Sequence, residues 1–186
     1  MDLKDFWKLF VKGDKDAFRR IYEAHSDALY AYGINLGGDH DQVLDCIHDL
    51  FVHLYGNHKI SENVNIRAYL LASLRRRLFK LRKTAEETVV KEGDVEVEES
   101  AEVGLITRET EQIAWERLKE GINRLPKRQR EILHLRYTLD LSYPEVAKVM
   151  NINIETCRKL SYRAIKLLKA DLETITYLVI VFSLFF

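Results

Sequence analysis

Proline and glycine are scarce, two and eight in 186 residues, so few points exist at which a helix must break. The long stretches repeat their apolar residues at helical rather than alternating spacing, and an all-α protein is expected. Cysteine is scarcer still. Cys46 and Cys157 fall in separate helical patterns with no Cys-x-x-Cys pair, which makes both small buried apolar residues rather than metal or redox groups. With no secretory signal at the N-terminus, a reducing cytoplasm is the expected location. There is also no nucleophile–base pair, phosphate-cradling glycine loop or ligand cluster at useful spacing. An enzyme is therefore not expected, nor a cofactor, a metal or a small-molecule substrate.

Net charge is absent too, with 29 Lys and Arg against 29 Asp and Glu. That zero is a cancellation. Residues 1–83 carry 14 cations and 11 anions, residues 84–112 carry 2 and 10, and residues 113–186 carry 13 and 8. Two mildly basic blocks flank an acidic one. The middle block contains EETVVKEGDVEVEESAEV, nearly free of aromatics and too poor in apolar residues to order itself, as a flexible linker would be. Two small helical domains are expected at 1–83 and 113–173, joined by the acidic linker 84–112 and followed by an apolar tail at 174–186.

The most informative stretch is LPKRQREILHLRYTLDLSYPEVAKVMNINIETCRKLSYRAIKLLKADL, from Leu125 to Leu172. Ser142 and Glu145 stand as S-x-x-E, the spacing at which serine and glutamate cap a helix start reciprocally. Val146, Ala147 and Met150 then share one face of a short helix. Asn151 can enter the left-handed region that ends it, and Asn153 can cap the next. From Ile154 the residues Ile154, Cys157, Leu160, Ala164, Leu167 and Leu168 recur at helical spacing and are expected inward. The opposite face shows Glu155, Arg158, Lys159, Tyr162, Arg163 and Lys166. Four cations on one side of one helix suit phosphate and guanine contacts. An ordinary solvated face would look the same in isolation, but the preceding capped helix and turn point to a helix-turn-helix reader of DNA.

The run Leu125-Pro126, Arg130, Ile132-Leu133, Leu135-Arg136-Tyr137, then Leu141-Ser142-Tyr143, Glu145-Val146-Ala147 resembles region 4 of bacterial sigma factors, the domain that reads the −35 promoter element. With one other domain before it, the resemblance is to the extracytoplasmic-function (ECF) group. The chain departs from that family at Asn151, where glycine is usual, and at Cys157, where a branched apolar residue is usual. The resemblance assigns −35 duplex contacts to Glu155, Thr156, Arg158, Lys159, Tyr162, Arg163 and Lys166.

The first block reads as four helices. Leu3, Phe6, Trp7 and Phe10 form a stripe that Gly13-Asp14 interrupts. A helix over about 15–36 turns Ala17, Phe18, Ile21, Tyr22, His25, Leu29 and Tyr32 inward, and Gly37-Gly38 ends it. A third helix over 41–55 carries Asp45, His48, Asp49 and His53. It resembles sigma region 2.2, which implies that these four residues bind core RNA polymerase. A metal site is a poor alternative, because His48 and His53 are five apart and stand about 140° from each other around a helix.

A fourth helix over 66–83 turns Ala68, Leu70, Leu71, Leu74, Leu78 and Leu81 in various directions, and its second half is strongly basic around Phe79. Cations for a separated strand's backbone and an aromatic for an unpaired base are what promoter melting needs. Resemblance to regions 2.3 and 2.4 assigns contacts with the melted −10 element to Asn63, Asn65, Arg67, Arg75, Arg76, Arg77, Phe79 and Lys80. Many ECF members carry an Asn-x-x-x-Asp pattern there, where this chain has Arg76 and Lys80, so the preferred base stays open.

The apolar tail ITYLVIVFSLFF is about half the ~20 residues that cross a bilayer. It could pack on protein, insert shallowly in a membrane or be a disordered end, and burial against protein is favoured because exposed it would aggregate. The whole reads as an ECF-type sigma factor whose partners are core RNA polymerase, duplex −35 and melted −10 promoter DNA, and an anti-sigma factor. The rival readings are a stand-alone helix-turn-helix regulator and a membrane-associated helical signalling adaptor.

Overall fold

A computed structural model describes residues 2–57, 60–88 and 109–185, with side chains given for 2–57, 60–84 and 116–170. The described residues are all-α. Their helices are α1 (Leu3–Val11), α2 (Lys15–Asn35), α3 (His40–Gly56), α4 (Ile66–Thr88), α5 (Glu109–Arg124), α6 (Lys127–Leu133), α7 (Tyr143–Met150) and α8 (Ile154–Phe185), with a π-helical turn at His134–Thr138 after α6. Most of the linker expected over 84–112 lies outside the described residues; α4 covers its start and α5 its end.

The chain divides into two compact units, residues 1–97 with 144–152, and residues 98–143 with 153–186. In the first unit the helix boundaries follow local signals. Gly13 takes φ +100°, a left-handed conformation open to glycine, and closes α1. Asp14 then caps α2 by accepting from the Ala17 amide at 2.8 Å. Gly37 at φ +79° ends α2, and Asp39 caps α3 through the Gln42 amide at 2.8 Å.

The helices of the first unit are laced by aromatics. Trp7 is fully buried, meets Phe10 at 5.6 Å and Tyr69 of α4 at 5.9 Å between ring centroids, and donates its indole N–H to the Ser61 carbonyl at 3.0 Å. Phe18 continues the chain from Phe10 to Phe51 and Tyr55 of α3. Below them Ile21, Leu29, Val43, Leu50, Leu54, Leu70, Leu71, Leu74 and Leu78 are buried.

One inward expectation fails here: Tyr22 is exposed, as are Leu3 of the α1 stripe and Leu81 of α4. Tyr22 lies at the rim, with its ring edge-on to Phe51 at 4.8 Å.

Gly33 shows why α2 and α3 come so close. A Cβ there would stand 2.5 Å from Cγ1 of Val43, and one on Gly38 would stand 2.6 Å from Val43 Cγ2. Val43 is itself fully buried, so it has nowhere to move. Gly33→Ala should therefore cost about 1–3 kcal/mol, the usual penalty of overpacking, and Val43→Ala in the same chain should recover part of it. Chemical denaturation of the single and double variants measures both effects.

In the second unit α6 and α5 pack on α8, around buried Leu125, Ile132, Leu135, Leu139, Leu141, Cys157 and Ala164.

Candidate nucleic-acid interface

The start of α8 is set by two asparagines. Asn151 adopts φ +53°, the left-handed conformation that asparagine reaches at low cost. Asn153 then caps α8: its side-chain oxygen accepts from the Thr156 amide at 2.7 Å, and its carbonyl from the Cys157 amide at 3.1 Å. The glycine usual at position 151 is thus dispensable here.

Along α8 the buried residues are Cys157, Ser161 and Ala164, spaced i, i+4 and i+7. This corrects the expected inward face. Ile154 is 39% exposed and Leu167 48%, while Leu160 and Leu168 are half-buried. The strip is narrower and made of small residues, because α6 and α5 approach the α8 backbone closely. Ser161 went unanticipated because it is polar. Its hydroxyl accepts from Tyr143 Oη at 3.2 Å, so its burial leaves it paired.

Tyr143 belongs to a further arrangement that the sequence did not reveal. The Arg136 guanidinium lies 4.7 Å from the Tyr143 ring and 5.8 Å from the Tyr137 ring, and donates to the Leu141 carbonyl. Asp140 at φ +48° makes the bend. Arg136 thus braces the segment that leads out of the π-helical turn.

The outward face of α8 carries the expected readers. Glu155, Arg158, Lys159, Tyr162, Arg163 and Lys166 are exposed, and Thr156 is half-buried. At ~100° per residue they span an arc of roughly 140° opposite Cys157, Ser161 and Ala164. Glu155 stands 4.0 Å from both Arg158 and Lys159. These are solvent-exposed pairs, weakly held and free to exchange for phosphate.

The residues expected to meet a melted strand are spread over α4 and the loop before it. Asn65 caps α4, its side-chain oxygen accepting from the Ala68 amide at 2.9 Å, while its Nδ2 donates to the Glu145 carboxylate. Its side chain is thereby engaged on both ends. Asn63 is exposed.

Phe79 is 44% exposed, with the Arg75 guanidinium 4.5 Å and the Arg82 guanidinium 5.9 Å from its ring centroid. Arg82 is further fixed to the Leu36 carbonyl at 2.8 Å. An aromatic face framed by two cations suits stacking beside a phosphate backbone. Arg76 and Lys80 are exposed next to it, Arg77 is half-buried on the other side, and Arg67 is half-buried near the head of the helix.

Arg67 also acts on His25. That imidazole is buried, which pushes its pKa down, and the charge of Arg67 lowers it further. A neutral core residue results. Burial likewise raises the Cys46 and Cys157 thiols, so neither is a ready thiolate.

On α3, Asp45, His48, Asp49 and His53 are all exposed, and exposed Leu44, Val52 and Tyr55 lie among them. Sequence reading picked the polar members and missed the apolar ones. A face mixing carboxylates with large apolar groups suits a protein partner better than water. Among the described residues no group of three His, Cys, Asp or Glu is placed to hold a metal ion.

Comparison with known proteins bears on the same elements. Residues 115–168 match the family model "Sigma-70, region 4", which spans part of α5 through most of the cationic part of α8. The chain is 28% identical over 169 residues to the ECF RNA polymerase sigma factor BldN of Streptomyces coelicolor, covering 84% of this chain and 60% of that protein's length. Two solved structures share the fold. CnrH, in complex with the cytosolic domain of CnrY, superposes with a TM-score of 0.65 at 19% identity, over 93% of this chain and 99% of that one. The sigma factor RpoE of Bartonella quintana, in complex with the anti-sigma factor NepR, does so with a TM-score of 0.65 at 22% identity, over 86% and 98%. Residues 115–168 thus match the sigma-70 region 4 family model, within a chain that is similar to an ECF sigma factor over most of its own length.

Proposed function

We propose that this protein is an ECF-type sigma factor: it binds core RNA polymerase and directs initiation at promoters whose −35 and −10 elements it reads. The observation that carries the reading is the cationic face of α8, fully outward and opposite the buried strip, inside the segment that matches region 4. In this reading α8 enters the −35 major groove. Arg158, Lys159, Arg163 and Lys166 meet phosphates or base edges there, Tyr162 adds its ring, and Glu155 and Thr156 stand at the helix start.

On α4, Phe79 framed by Arg75 and Arg82 takes an unpaired base of the −10 element, with Arg76, Arg77 and Lys80 along the strand. Asn63 and Arg67 flank its entrance. Asn65 acts chiefly by capping the helix, which positions the basic residues. The exposed face of α3, with Asp45, His48, Asp49 and His53, docks on the polymerase.

The chemistry of RNA synthesis belongs to the polymerase; this chain supplies placement and strand separation, and works in the cytoplasm where that enzyme is. The RpoE structure holds that protein in complex with the anti-sigma factor NepR, and an anti-sigma factor is proposed here as well.

Run-off transcription with core polymerase on a promoter library tests the function. Added protein should give start sites that core enzyme alone does not use, and no such gain overturns the reading. Asp49→Arg reverses a charge at the centre of the α3 face. It should weaken co-elution with core polymerase by about tenfold or more, as like-charge juxtaposition at an interface does, while leaving binding to an isolated −35 duplex unchanged. Tight duplex binding without any co-elution would favour a stand-alone regulator instead.

A further inference from the structure

The helix that carries the DNA-facing residues does not stop where they do. α8 runs unbroken through Phe185, so the apolar end is a helical extension of the cationic segment. At ~1.5 Å per residue, Thr174 to Phe185 adds roughly 18 Å to it. From Thr174 to Phe186 no residue is charged. The hydroxyl residues Thr176 and Ser183 are seven apart, and between them Val179 and Ile180 fall on the same side of the helix, so no continuous polar stripe exists.

A helix that docks in a protein groove keeps one apolar stripe and one wet face. One that is apolar all round needs an apolar environment all round, either the middle of a large core or lipid. The described residues offer no such core. The elements that pack substantially on α8 are α5 and α6. α5 repeats Trp115, Leu118 and Ile122 at the spacing of one apolar stripe, and α6 is seven residues long. Together they can cover one side. Just before the apolar stretch stand Lys166, Lys169, Asp171 and Glu173, which cancel in charge, and Tyr177 lies near its start. Charged groups and a tyrosine at the base of an apolar helix suit the polar headgroup layer.

We propose that the C-terminal end of α8, from Thr174 onward, inserts into a lipid bilayer and tethers the protein to a membrane surface. The occupant is lipid, and the hold is the burial of the apolar side chains. Among the described residues no helix is long and apolar enough to cross a membrane, so the insertion is from the surface.

Flotation of the full-length protein with vesicles of phosphatidylcholine, alone or mixed with phosphatidylglycerol, tests this without polymerase or DNA, and so independently of the sigma-factor reading. The protein should float with both. Val179→Asp with Phe182→Asp places two carboxylates in the apolar stretch and should reduce the floating fraction about tenfold or more. A second variant ending before Thr174 should behave likewise, and an unchanged circular dichroism melting curve shows that either variant is folded. Flotation of the Asp variant equal to that of the parent would overturn the proposal. So would a parent that stays monodisperse and never floats. Vesicle-free oligomers that the Asp variant disperses, in a protein that does not float, would assign the segment to a second copy of this chain instead.

Discussion

Trp7→Ala should cost the first unit about 3–5 kcal/mol, the range measured when a large buried aromatic is cut back to a methyl group. Trp7 has no exposed surface and joins two helices through its ring contacts with Phe10 and Tyr69. Its loss opens a void between α1 and α4 and strips the Ser61 carbonyl of its indole donor. Since domains are stable by only about 5–15 kcal/mol, the variant stands close to unfolding at ordinary temperature. Trp7→Phe separates the two contributions. It keeps most of the apolar volume and loses the donor, so it should cost about 1–2 kcal/mol. Urea denaturation followed by circular dichroism checks both. A Trp7→Ala protein within about 1 kcal/mol of the parent would show that α1 is peripheral to the first unit.

What could be read before folding, and what could not, divides by the range of the forces involved. The helix limits at Asp14, Asn151 and Asn153 were legible because a cap or a left-handed turn is decided within four residues. The cationic face of α8 was legible for the same reason, since its period lies in the sequence. The inward face of α8 was only half legible. Ile154 and Leu167 have the right chemistry and spacing for burial, yet their exposure depends on how far α5 and α6 extend over the helix. Ser161 has the wrong chemistry and is buried because Tyr143, eighteen positions away, supplies a hydroxyl.

The π-helical turn at His134–Thr138 gave no signal either, being a local distortion settled by packing rather than by composition. On α4 the cluster of cations was obvious. That Arg75 and Arg82 flank Phe79, with Arg82 held by the Leu36 carbonyl, depends on the neighbouring end of α2. In the same way, that Leu44, Val52 and Tyr55 lie exposed among the polar residues of α3 is decided by how α3 packs on its neighbours.

Arg158→Glu combined with Lys159→Glu should reduce affinity for a −35 duplex at least about 30-fold, taking roughly 1–3 kcal/mol per contact for each cation lost. The true loss should exceed the simple sum. Glu155 stands 4.0 Å from both cations, and with them replaced it joins two new carboxylates facing the phosphates. Folding should hardly notice, because exposed ion pairs of this kind contribute little to stability and the buried strip Cys157, Ser161 and Ala164 is untouched. The salt dependence supplies a second, independent reading. If both cations release counterions from the DNA, the slope of log affinity against log salt should become shallower by about 2. Lys4→Glu with Lys8→Glu, two exposed positions on α1, changes net charge by the same amount in the other unit. Equal losses from the two pairs would mean that the duplex responds to overall charge and that α8 is not the reader. A loss confined to the α8 pair, with the shallower slope, places the duplex on the outward face of that helix.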